Sequence, residues 1–239
     1  MGKVLRILAV VAMGLASVFN LLGGVGTSCI AWNADKYGKA FAVFVPYMTI
    51  YQIFVYLSVL VGVAGIIVTY ALVRRDKWAY WGGVITMVAG LVIAGVHMYY
   101  TSQLKEVSFF QTPPTSMRFY ITFLTLALFL VLRIPGLRKR VDFTAPWQGR
   151  SKTMAGGLSA SIAGFVILTT PIWAGAPHMV DGYNLVNFLS VPLMVVGGLT
   201  MAFGISLVAM VALGISREQT TSWFRRGATS LYQAIFSRV

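Results

Sequence analysis

The chain has 239 residues, of which 58% are hydrophobic and only 10% charged, and its formal net charge is +13. A water-soluble domain of ordinary composition carries about a quarter charged residues, so that class is excluded. The cations border apolar runs and form no basic domain of their own, which argues against nucleic-acid binding, and a single cysteine, Cys29, rules out an internal disulfide.

A helix crosses the hydrocarbon in about 20 apolar residues and must bond its backbone internally, so runs of that length read as spanning helices. Six such runs follow one another, and the expected fold is an all-α polytopic membrane protein with six transmembrane helices. The first, Ile7 to Gly26, follows Lys3 and Arg6 and is expected to be retained as a span rather than removed as a signal. Arg6 stands where a myristoylation signal needs Ser or Thr. Thr27 to Tyr47 then forms the first outer loop and holds Cys29, which is read as a free thiol, an intermolecular bridge or a packed side chain.

The second span, Met48 to Val73, and the third, Trp78 to Thr101, are joined by Arg74, Arg75, Asp76 and Lys77. Trp78, Tyr80 and Trp81 mark one interface of the third span, and Tyr99 and Tyr100 the other. A loop from Ser102 to Arg118 leads to the fourth span, Phe119 to Ile134, which is short. Arg118 and Arg133 flank it and are expected to snorkel to the two interfaces. The linker Pro135 to Lys152 leads to the fifth span, Thr153 to Gly175, with Trp173 near its end, and the sixth runs from Phe188 to Gly214. Residues 1–215 therefore form one transmembrane domain, and 216–239 a tail. In that tail Phe224, Ala228, Leu231 and Ile235 share one helical face, as in an amphipathic helix lying on a membrane or docked on a partner.

Orientation follows from Lys and Arg. With the N-terminus inside, 15 of the 19 basic residues fall on the inner side and only Lys36, Lys39, Lys105 and Arg118 on the outer, which places both termini in the cytoplasm. Arg74, Arg75, Lys77, Arg138, Lys139, Arg140, Arg225 and Arg226 then form a basic rim suited to anionic lipid headgroups. A bacterial plasma (inner) membrane is the expected location.

Small residues four apart let helices approach closely in a bilayer. The fifth span offers Ala155, Ser159 and Ala163 on one strip and Gly156, Ala160 and Gly164 on the next; the sixth offers Gly198, Ala202 and Ser206. Gly82 to Met87 and Gly197 to Met201 are similar enough to raise an inverted repeat. The first four spans, with Cys29 and Trp32 in a long first loop, superficially resemble the claudin-like tetraspan pattern. That family's first loop has a cysteine pair and this one has a single cysteine, so no family follows.

No acidic residue lies inside a span, which weakens an ion-coupled carrier, and no nucleotide, zinc-protease or paired-carboxylate motif is present. An enzyme is therefore not expected, and no cofactor is required. The exception is the pair of histidines, His97 and His178, each followed by methionine, Met98 and Met179. Imidazole and thioether suit copper, and two imidazoles suit a haem iron. Topology puts both near the outer surface, where the expectation is that they bond locally and do not meet. The function read from these features is a structural or accessory subunit of a membrane assembly, possible in bioenergetics, with other protein subunits or a homo-oligomer as partners. The alternatives are a redox subunit and a carrier of a neutral or lipidic molecule.

Overall fold

The computed structural model describes residues 2–37, 39, 41–112, 115–174, 178–180 and 183–214. The expected amphipathic tail, with Arg225 and Arg226, lies outside the described residues. The fold is helical, and six helices are long and apolar enough to span a membrane. In chain order the helices are α1 (Gly2–Asn33), α2 (Met48–Arg74), α3 (Ala79–Lys105), α4 (Thr115–Leu132), a single-turn α5 (Pro135–Arg138), α6 (Ser151–Trp173) and α7 (Ser190–Ala212). A two-residue antiparallel pairing, β1 (Met179–Val180) with β2 (Tyr183–Asn184), lies between α6 and α7. The N-terminal end of α1 and the junctions α2–α3 and α4–α6 form one end of the bundle, here called the basic end.

Several helices run past the limits read from hydropathy, because residues beside the apolar runs find apolar cover outside them, whereas α7 begins and ends two residues inside its expected span. The 32-residue α1 extends to Asn33 instead of stopping at Gly26, a length of about 48 Å at 1.5 Å per residue. Residues Thr27 to Asn33 contain no helix breaker, and Ala31 is buried with Phe44, Tyr51 and Phe54 under the short 3-10 helix Ala42–Tyr47. The fourth helix begins at Thr115 rather than Phe119, which draws Arg118 into its first turn. Pro192 stands in the first turn of α7, where its missing N–H breaks no helical bond.

Helix α1 is central and packs against α2, α4 and α6, while α2–α3 and α3–α4 close the four-helix group around it. At the basic end the core gathers Ala9, Val10 and Met13 of α1, Val68 and Leu72 of α2, Met87 of α3 and Phe129 of α4. Gly14 lets Ser159 of α6 lie directly on α1, and Ala155, Ser159 and Ala163 are all buried.

The other predicted strips need correction. The α6–α7 seam is made by Gly157 and Gly164 on α6 and by Gly197 and Gly204 on α7, each pair seven apart. A Cβ on Gly164 would stand 2.3 Å from the amide nitrogen of Met201, and one on Gly204 2.3 Å from that of Ser161, so backbone lies on backbone. Gly156 and Gly198 face open space, Ala160 is only half-buried, and Ala202 and Ser206 are exposed. The small-residue pattern contained two registers one residue apart, and hydropathy does not distinguish them. Nor do α3 and α7 hold equivalent places: α3 lies between α2 and α4, whereas α7 packs on α6, so the inverted repeat gains no support.

The linker after α4 is folded back onto the helix ends. Phe143 is buried beside Phe129, rings 6.1 Å apart, and beside Tyr80 at 5.6 Å. Trp147 Nε1 donates to the Val73 carbonyl at 2.8 Å. Arg6 is buried and donates to the carbonyl oxygens of Ala145 and Phe143, its guanidinium 4.0 Å from the Trp147 ring centroid. Tyr80, read as an interfacial aromatic, is a packed anchor whose hydroxyl donates to Phe129 O. Trp78 and Trp81 remain exposed, as an interfacial belt requires.

Candidate functional site

The polar groups of α1 to α4 meet in the half of the bundle away from the basic end. Arg118 is 1% exposed. Its Nη1 donates to Ser58 Oγ on α2, and its Nη2 to His97 Nδ1 on α3 at 2.7 Å. A guanidinium can only donate, so Nδ1 accepts and the imidazole proton sits on Nε2. Gly23 on α1 makes the room: a Cβ there would stand 2.7 Å from Arg118 Cδ. Ser58 lies ten residues into α2, about 15 Å along its axis, so the guanidinium points into the bundle. The interfacial snorkel expected of Arg118 is thereby corrected.

Aromatic rings enclose the cluster. His97 is stacked on Phe54 at 4.7 Å with a 12° interplanar angle, and Tyr51 meets its edge at 5.2 Å. Tyr51 in turn shares a 2.9 Å hydrogen bond with Thr101. One turn deeper than Arg118, Asn20 Nδ2 donates to the Ala16 carbonyl at 2.9 Å and to Thr122 Oγ1 at 3.0 Å, joining α1 to α4. Two features separate this cluster from an ordinary packed core. Among the described residues Arg118 has no carboxylate partner, and its buried Nε has no hydrogen-bond acceptor.

The histidines are not brought together. His178 lies beyond α6, its Nδ1 2.6 Å from the Ala174 carbonyl and its Nε2 3.1 Å from that of Gly26 on α1. The two rings have no partner in common. Met98 is fully buried on α3, and Met179 belongs to β1. No group of three or more His, Cys, Asp and Glu side chains suited to a metal occurs among the described residues. Cys29 is half-buried, with its thiol 3.3 Å from the Gly26 carbonyl.

The residue that hydropathy misread was visible by spacing. Thr115, Arg118, Thr122 and Thr125 recur at three and four residues, and all four are buried on one face of α4. A polar stripe on a membrane helix faces protein rather than lipid, because the hydrocarbon offers it no hydrogen-bond partner. Comparison of the chain with protein-family models, with curated proteins and with solved structures gives no match.

Proposed function

We propose that the chain is a structural or accessory subunit of a membrane assembly, with its basic end and both termini on the cytoplasmic side of a bacterial plasma membrane. The observation that carries this reading is the state of α7. Its buried residues are Gly197 and Gly204, both packed against α6, while Gly198, Ala202 and Ser206 lie away from that seam. A strip of small residues that none of the described residues covers is suited to close approach by another helix. The polar groups of α1 to α4 are largely spent on one another, as in a brace that holds a scaffold rigid. Purification in mild detergent with mass spectrometry of what accompanies the chain tests it. A companion should be retained by the natural chain and lost on Ala202→Leu; a monomer with no companion under any mild extraction refutes the reading. Cysteine probes at Lys36 and Lys105 should react from outside the cell, and probes at Asp76 and Arg150 should not.

One observation favours a second reading, a carrier. A buried cation without a counter-charge is the usual mark of a substrate or ion pathway in a membrane protein, and Arg118 Nε is left for an acceptor. Its substrate would be a small anion rather than the neutral or lipidic molecule suggested by hydropathy. Uptake of such an anion into vesicles, abolished by Arg118→Met with insertion intact, would favour it. The redox reading draws no support from the imidazoles, because His97 Nδ1 is taken by Arg118 and both ring nitrogens of His178 face carbonyl oxygens.

A further inference from the structure

At the basic end, the folded-back linker and the ends of α3 and α4 line a half-open cavity of about 520 Å³. Four cations line it: Lys77 before α3, Arg133 after α4, and Arg138 and Lys139 at the end of α5. The one carboxylate in the lining, Asp142, is turned to its own chain, accepting from the Thr144 amide at 2.8 Å and from its hydroxyl at 2.7 Å. Among the described residues none of the four cations has a carboxylate within ion-pair distance. Four positive charges against one negative leave the lining with an excess of three.

Ring packing positions the linker and directs one of these cations. Phe143, packed on Tyr80 and Phe129, fixes the linker from which Arg138 and Lys139 project. The Arg133 guanidinium lies 5.1 Å from the Tyr80 ring centroid and 5.5 Å from that of Trp81, which sets its direction without neutralising its charge. Like charges gathered without a counter-ion repel one another, and an anion in their midst removes that cost. Arg and Lys together suit a phosphate, the first by its planar fork and the second as a point charge. The level is also right for a headgroup: α2 and α4 end here at Arg74 and Leu132, and exposed Trp78 and Trp81 stand beside the cavity.

We propose that this cavity is a binding site for an anionic phosphate group, contacted by Arg133, Arg138, Lys139 and Lys77. A phosphate-bearing lipid headgroup and a free phosphate share this chemistry. The basic rim as a whole attracts any anionic surface; the cavity adds a defined stoichiometry of one and dependence on particular side chains.

Native mass spectrometry of the full chain in detergent, supplied with equal phosphatidylglycerol and phosphatidylcholine, tests the proposal. One phosphatidylglycerol should be retained with at least roughly tenfold preference. Arg138→Gln with Lys139→Gln should reduce that retention by roughly tenfold, whereas Arg74→Gln with Arg75→Gln, an equal loss of charge outside the cavity, should change it less than twofold. Both pairs are exposed, and unchanged elution on size exclusion checks that each variant folds. Displacement of the lipid by millimolar inorganic phosphate would assign the site to the phosphate group alone. Displacement only by short-chain phosphatidylglycerol would assign it to a lipid headgroup, and either result supports the proposal. No preference for phosphatidylglycerol, or equal losses in the two double variants, overturns it.

Discussion

Substituting Gly204 by alanine isolates the packing of the α6–α7 seam, because the same change at Gly198 supplies its control. Both positions lie within α7, so each substitution gains the same helix propensity, about 1 kcal/mol. A Cβ at Gly198 meets nothing within 4 Å, whereas one at Gly204 would stand 2.3 Å from Ser161 N and 2.6 Å from Gly157 O. Both of those are backbone atoms, so no side chain can swing aside. Restoring a 3.4 Å contact from 2.3 Å requires the two helices to part by 1.1 Å. A gap of that size forfeits roughly a quarter to a half of each dispersion contact along the seam, and overpacking of this kind costs about 1–3 kcal/mol. Measured by amide hydrogen exchange in detergent, Gly204→Ala should speed exchange of α7 about 5- to 140-fold relative to Gly198→Ala. Exchange in α2 and α3 should not change, since the seam is on the far side of α6. Equal exchange in the two variants would refute the backbone-on-backbone seam.

Three other outcomes follow from the packing. Thr122→Val removes the acceptor that joins α4 to Asn20 while leaving Asn20 its bond to Ala16 O; thermal unfolding in detergent should register a loss of about 0.6 kcal/mol and no more than about 1.7. Phe143→Ala should undock the linker at a cost of about 3–5 kcal/mol, seen as protease cleavage between Arg138 and Arg150 while the spans stay intact. The Asp142 carboxyl is held below its ordinary range, first by the Thr144 hydroxyl and then by the Thr144 amide. Its stabilisation is therefore present above the unfolded-state value, about pH 4, and is lost as pH falls through the lower folded-state value. Linker protease resistance should decline over that acidic window in the natural chain, and Asp142→Asn should remove this component.

Hydropathy and charge determined the class of this protein by themselves. Six apolar runs of bilayer length admit few structures but spanning helices, since a lipid-exposed backbone must satisfy itself. The structure has six helices at those places. Helix ends were less legible, as Thr27 to Asn33 continue α1 only because Ala31 finds Phe44 and Tyr51 beside it. Which side of a helix faces protein was partly legible: the buried face Ala155, Ser159 and Ala163 could be read, but the choice of Gly157 over Gly156 and of Gly197 over Gly198 could not. Adjacent glycines differ by about 100° around a helix, and only the approach of the second helix selects between them. Arg118 shows the same division. Its identity and its spacing from Thr122 and Thr125 lie in the sequence, but its direction was set by three other helices: Gly23 leaves space, Ser58 accepts, and His97 accepts beside it. The gathering of Lys77, Arg133, Arg138 and Lys139 was equally hidden, because Lys77 and Lys139 stand 62 positions apart in the chain. Linear order shows where charges border the membrane; the cavity exists because Phe143 turns the linker back against Tyr80 and Phe129, a contact that depends on ring packing between segments far apart in the chain.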